Sequence, residues 1–479
     1  MLAALRPTRL PGEESYQRNF KFDCLILAAL ALAHNPQGGA PGFARFPTLV
    51  SMAWESWKTA TLERKLLLIV ASLIWCLLLA LTARALDLGQ PYLALAIGGG
   101  LIFYFRSRPN IPQQVACVLV SIGFGFVVRF PPTKDWMLAG SSMVALFGFG
   151  AFLIFGLEWI WSASLVRRQT FALFAPAAGL VFFVFSAQHA LSLANLFYPK
   201  TYDLYLYAAD GAFGLQPSFL FGQAMAASPA LEIACVLAYL LLPLVMALVY
   251  AVSQPIKTER TSWELISLLM LAGMGGWVLY NLVPATGPRY AFSGTFPYHS
   301  LPYHFLPKLL LEKIPVPDTA PRNAIPSLHL TWALLLYWNT KGMSRVLRAS
   351  LRIYLALTVA STLGTGEHYF VDLLAAVPFA LLVQAVVSPG GRLSFSRRIL
   401  VASYGLGLTL GWVLLARYGI RLMLISPAVP WGLSAVSCGT VWMLSTRCGS
   451  VSSIPYPEAN PSQSTTAVAG QGLAASASH

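Results

Sequence analysis

Twelve mostly apolar stretches, separated by short polar loops, organise this chain between residues 66 and 444. They run over 66–82, 91–105, 113–129, 136–161, 171–196, 230–250, 264–283, 327–340, 353–363, 369–387, 399–415 and 422–444. A helix that crosses a bilayer needs about 20 such residues, so the shortest stretches are expected to extend into their flanks. The pattern predicts an all-α fold, a polytopic membrane helical bundle of about 12 transmembrane helices. The apolar stretch 23–33 is too short to span alone and is expected at the interface. It follows a long polar leader and lacks a cleavage site, so no cleavable signal is expected. The tail 450–479, rich in Ser, Ala, Pro and Gly, reads as disorder.

Composition sharpens this picture. Of the 479 residues, 57% are hydrophobic and 10% charged, with mean hydropathy +0.64, whereas a soluble domain carries about 25% charged residues. A net charge of +14 raises nucleic acid as a partner, but no basic stripe with interleaved aromatics is present, and no nucleic-acid binding is expected. The cations sit in short loops. From the fifth stretch onward, Arg167, Arg168, Lys257, Arg260, Lys341, Arg345, Arg348, Arg352, Arg392, Arg397 and Arg398 fall on one side, and Lys200, Arg289, Lys308, Lys313 and Arg322 on the other. The excess marks the cytoplasmic side, and an even span count puts both termini there. A multi-pass protein of the plasma or inner membrane is expected. The six cysteines show no paired ligand spacing and read as packed thiols, with neither a disulfide frame nor a metal site.

Two histidines then stand out, each opening a charge-free apolar segment: Ala324-Ile325-Pro326-Ser327-Leu328-His329 and Gly364-Thr365-Gly366-Glu367-His368-Tyr369-Phe370-Val371-Asp372. A titratable group inside an apolar segment is costly and by default a functional candidate. A lone histidine there is more often a satisfied helix–helix contact; two on one face, the second with an aspartate four residues on, reverse that balance. Two crossings separate them, so both fall on the non-cytoplasmic face, together with the long loop 284–323. His368 and Asp372, at i and i+4, share a helical face, the arrangement of a nucleophile or base oriented by a carboxylate. His329 lies in the first turn of a helix whose free N–H groups and Ser327 hydroxyl suit an anion. Gly366 allows close backbone approach. Arg289 and Arg322, in the same loop, are candidates for two-pronged contact with phosphate, although interfacial snorkelling is an alternative for each. The Tyr-rich segment 202–210, with Asp203 and Asp210, reads as an interfacial loop without a catalytic role. Together these residues point to phosphoryl transfer at a membrane surface.

Pro326-Ser327-Leu328-His329 resembles the second motif, Pro-Ser-Gly-His, of the type 2 phosphatidic acid phosphatase superfamily. The stretch from Ser361 to Asp372 matches the spacing of that superfamily's third motif, Ser-Arg, five residues, His, three residues, Asp. Glu367-His368-Tyr369-Phe370-Val371-Asp372-Leu373 is more similar to the membrane transferase branch, which includes inositol phosphorylceramide synthase and sphingomyelin synthase. The resemblance covers about residues 171–388. It implies a six-helix phosphatase-like core in which His368 is the nucleophile forming a phosphohistidine, Asp372 orients it and His329 protonates the leaving oxygen. Two departures are visible: Thr362 stands where the third-motif arginine belongs, and no Lys-six residues-Arg-Pro first motif is found. They favour the transferase branch.

The expected organisation is an N-terminal cytoplasmic or interfacial segment (1–65), an accessory four-helix membrane region (66–161), a catalytic core (162–398), two accessory transmembrane helices (399–449) and the tail (450–479). The expected activity moves a phosphoryl or phospho-headgroup from a phospholipid to a lipid or alcohol acceptor. A lipid phosphate phosphatase using water, a multi-span transporter and a catalytically dead lipid-binding scaffold are the alternatives. Since such catalysis is positioning plus charge stabilisation, no cofactor and no metal are expected.

Overall fold

In a computed structural model of the protein, the described residues are 57–58, 60–85, 98–104, 109–127, 136–161, 164–253, 262–341, 343–387 and 394–448. The expected interfacial segment 23–33, the tail 450–479 and most of the stretch 91–105 lie outside them. Helices α1 (Leu62–Ala85), α2 (Ile111–Val127), α3 (Trp136–Trp161) and α4 (Ser164–Phe197) come first, with α3 packed against α1 and α2. Next come α5 (Asp203–Gly211), α6 (Pro217–Ala227), α7 (Pro229–Leu240), α8 (Leu242–Ser253), α9 (Ser262–Leu282) and the single turn α10 (Pro288–Ala291). The chain ends in α11 (Leu328–Asn339), α12 (Arg345–Gly364), α13 (Phe370–Val387), α14 (Phe395–Tyr418), the short α15 (Ile420–Met423) and α16 (Ala428–Cys448). Among the described residues the strands are a two-residue antiparallel ladder, Lys200–Thr201 against Ile314–Pro315, which closes the long loop against the end of α4.

Helices stand at most of the twelve apolar stretches, but fewer of them are bilayer-length. Among the described residues, four are long and apolar enough to cross a membrane: Glu264–Leu282, Arg345–Gly364, Phe370–Val387 and Phe395–Tyr418. A fifth is added if α6 and α7, bent by 119° at Ser228, count as one span. Such helices are consistent with an integral membrane protein. The expected span 230–250 is interrupted at Leu241, ahead of Pro243, and is two helices. Proline cannot donate to the helical ladder and crowds the preceding turn. The stretch 327–340 forms α11, whose 12 residues cover about 18 Å at ~1.5 Å per residue, well short of a hydrocarbon core of about 30 Å.

Helix α11 is nonetheless the inner helix. Its residues from Leu330 to Trp338 are all buried, as expected of a helix apolar on every side. Ser327 caps it, its hydroxyl accepting from the Leu330 N–H, and the Trp332 indole donates to the Leu269 carbonyl of α9 at 3.0 Å. Helices α11 and α13 run in parallel. At one end the Ser327 N–H donates to the Asp372 carbonyl at 3.1 Å. The same number of residues further along each helix, Asn339 donates to Gln384 at 2.7 Å. The N-termini of both helices therefore share one end of the bundle, and α12 returns the chain to it.

Helix α13 is the most enclosed bilayer-length helix, packed by α9, α11, α14 and α16. Its tightest partner is α14, at Gly405: a Cβ there would stand 2.8 Å from the Leu382 nitrogen and 3.1 Å from the Pro378 carbonyl oxygen. Backbone cannot give way as a side chain can. Gly405→Val is expected to force α14 off α13 and to cost about 1–3 kcal/mol, the usual range for overpacking. The measurement is the thermal unfolding midpoint of the purified protein in detergent, which should fall by several degrees.

Candidate active site

His368 lies at the junction of α12 and α13, and its backbone and ring are both held. Its N–H donates to the Thr362 carbonyl at 3.1 Å, and the Ser218 hydroxyl lies 3.1 Å from its carbonyl oxygen. The ring Nδ1 is 2.8 Å from the Ala324 carbonyl oxygen. A carbonyl only accepts, so Nδ1 carries the hydrogen and Nε2 presents its lone pair. Asp372 Oδ2 is farther from Nδ1, at 3.5 Å, and is itself engaged by the Tyr369 N–H at 2.7 Å. The sequence reading gave tautomer control to Asp372; here the shorter contact belongs to Ala324, and Asp372 also closes the first turn of its own helix.

The ring of His329 is 6.3 Å from that of His368 between centroids, at 64°. It stacks on Tyr239 of α7 at 3.9 Å and 21°, which fixes its plane. Both histidines border a cavity of about 60 Å³. The opposite wall is apolar, formed by α4 (Phe183, Val184, Leu191) and α9 (Trp277), and Asn323 contributes an amide. Among the described residues, no lysine or arginine lines the cavity.

Of the two candidate arginines, the structure brings one to the histidines. Arg289 follows Gly287, whose φ of +112° is a conformation glycine adopts without the cost an L side chain incurs. The Arg289 N–H donates to the Gly366 carbonyl at 3.0 Å, and Gly366 itself has φ +72°, so the two loops lock together one residue from Glu367. The Arg289 side chain, half exposed, pairs with Glu367 through Nη1 to Oε1 at 2.8 Å. Arg322 is fully buried instead. Its guanidinium donates to the carbonyls of Tyr198 (3.1 Å), Pro317 (2.8 Å) and Ala320, and so holds the long loop against the end of α4. Ser327 is buried as the cap of α11. Thr362 spends its hydroxyl on the Thr358 carbonyl of its own helix at 2.9 Å.

Two residues matter more than the sequence reading allowed. The segment 203–210 is a buried helix, α5, and both of its aspartates are fully enclosed. Asp203 accepts from the Thr201 hydroxyl, from the Thr286 N–H and hydroxyl, from the Gly287 N–H at 2.9 Å and from the Tyr369 hydroxyl at 2.9 Å. Asp210 accepts from the first two amides of α13, Phe370 at 2.8 Å and Val371 at 2.9 Å, with Ser218 at 3.1 Å. Asp203 thus fixes the Gly-Pro-Arg turn, and Asp210 fixes the helix that begins two residues after His368. Burial pushes the Asp210 carboxyl up to about 7 against the opposing pull of those two amides, and burial likewise raises Asp203 against its donors. The signal in the sequence was the spacing: positions i and i+7 lie on one face of a helix.

Residues 204–386, which carry Asp210, both histidines, Arg289 and Asp372, match the model of the PAP2 superfamily. No curated protein matches the chain, and no solved structure does. The superfamily match supports a phosphatase-type enzyme activity of the lipid phosphatase or phosphotransferase kind.

Asp203→Ala would orphan several buried donors, each worth roughly 1–3 kcal/mol. With five donors orphaned, the expected outcome is a loss of about 5 kcal/mol or more, seen as a large drop in the thermal midpoint. Thr201→Val, which removes one of those donors, should cost about 1 kcal/mol.

Proposed function

We propose that the protein is an integral membrane phosphotransferase. It moves a phosphoryl or phospho-headgroup from a phospholipid to a lipid or alcohol acceptor through a phosphohistidine on His368, in the manner of inositol phosphorylceramide synthase. The observation that carries this reading is the pair of imidazoles 6.3 Å apart, one with its Nδ1 tied to a carbonyl. A phosphorus atom between them lies within hydrogen-bond reach of one ring and attack distance of the other.

His368 Nε2 attacks phosphorus, the bond from phosphorus to the leaving oxygen breaks, and His329 gives that oxygen its proton. His329 then takes the proton of the acceptor hydroxyl, whose oxygen attacks phosphorus and releases His368. Asp372, 3.5 Å from Nδ1, and the Ala324 carbonyl steady the charge that develops on the His368 ring. Arg289 faces the phosphate oxygens. The distribution of loop cations supports a non-cytoplasmic site. With water as acceptor the same steps make a lipid phosphate phosphatase.

The test is turnover of headgroup-labelled and phosphorus-labelled phospholipid by purified protein, with and without acceptor alcohols. Acceptor-dependent transfer of label is expected, and phosphate release regardless of acceptor would assign the phosphatase reaction. His368→Ala should lower kcat by about a thousandfold or more, as loss of a covalent nucleophile does. Retained turnover in that variant would reject the nucleophile.

A further inference from the structure

We infer that Glu367 sets the charge of the phosphate group admitted to the site, favouring a singly charged phosphodiester over a doubly charged phosphomonoester. This rests on the site proposed above and adds to it the class of donor and the residue that selects it.

The argument is a count of charges around His368. A phosphodiester carries one negative charge at neutral pH, whereas a phosphomonoester, with a second ionisation near about pH 6, carries close to two. A dianion is best met by two cations, and a bidentate arginine is the usual supplier. The proton that His329 gives to the leaving oxygen supplies one positive charge beside His368, and the arginine at the rim is already matched: Arg289 Nη1 sits 2.8 Å from Glu367 Oε1, and the Tyr290 hydroxyl lies 3.4 Å from the same oxygen. Three other cations at this end of the bundle, Arg322, Arg417 and Lys313, are engaged elsewhere. The Arg322 guanidinium serves three carbonyls. Arg417 donates to the Leu282 carbonyl and lies over the Tyr202 ring, and Lys313 also lies over that ring. Thr362 brings no charge, and the described residues of the cavity wall include no lysine or arginine.

Glu367 is also fixed in place. It follows Gly366, whose carbonyl holds the Arg289 amide, and precedes His368; its side chain is 11% exposed against 48% for Arg289. An incoming phosphate therefore meets a guanidinium whose charge is balanced by a neighbouring carboxylate. One negative charge can share Arg289 with Glu367 across its five donors. A second charge adds repulsion from a carboxylate that has little room to swing away.

The experiment uses full-length protein in nanodiscs and two lipids with identical acyl chains, phosphatidylglycerol as diester and phosphatidic acid as monoester. Competitive retention of the two is measured first, then turnover. Wild-type protein is expected to retain the diester about tenfold or more over the monoester. Glu367→Gln, which keeps the size and hydrogen-bonding reach but removes the charge, should narrow that ratio about tenfold by improving the monoester. Glu367→Asp should keep the wild-type preference. Equal retention by wild type, preference for the monoester, or a ratio unmoved in Glu367→Gln would overturn the inference. Because retention is read without chemistry, selective binding with no turnover of either lipid would count against the transfer reaction and leave the charge selection standing.

Discussion

Two carboxylates taken wholly out of water govern this end of the bundle. Burying an ion is among the costliest acts in folding unless donors replace its hydration. Asp203 and Asp210 receive theirs almost entirely from the polypeptide that carries the candidate site. The amides of Phe370 and Val371 would otherwise be unmet at the head of a helix, where the chain cannot supply internal partners. Aspartate and helix thus satisfy each other, and the helix dipole adds to the attraction. The arginine turn and the start of α13 depend on this exchange, and through them so do the positions of Arg289 and His368.

Much of the arrangement could be read from the chain alone. Apolar length and loop charge placed helices at most of the right positions, and the two histidine motifs announced themselves by the cost of a titratable group in an apolar run. Spacing along α11 to α13 also brought both rings to one end, because α12 must return the chain there. Harder to read was the purpose of polar residues whose partners lie far away in sequence. Arg322 looks like a phosphate ligand until Tyr198, more than a hundred residues earlier, is seen to accept from it. Asp203 and Asp210 looked interfacial because tyrosines surround them, yet those tyrosines face inward. Helix lengths misled for a different reason: hydropathy records burial in protein and burial in lipid alike, so the enclosed, twelve-residue α11 reads as a span.

Few restraints hold the imidazole pair. One ring is oriented by a backbone carbonyl, the other by the face of Tyr239. Neither restraint is a catalytic side chain in the usual sense, and neither has a short sequence signature. The carboxylate expected to do the orienting is shared between the imidazole and its own helix, an economy that ties the chemistry to the integrity of one helical turn.

Helices α14, α15 and α16 lie beyond residues 204–386, yet the segment around α15 and the start of α16 packs beside α5 and α13. The Trp431 indole donates to the Phe213 carbonyl at 3.1 Å, and Phe213, Phe370 and Trp431 form an aromatic trio beside the head of α13. The Tyr303 hydroxyl donates to Leu424, and Arg417 to Leu282. A fragment trimmed to residues 204–386 would bare the seam where Gly405 meets Pro378 and strip these struts from the rim. The unit of excision for this architecture is consequently larger than the unit of homology, and runs at least to the end of its last helix.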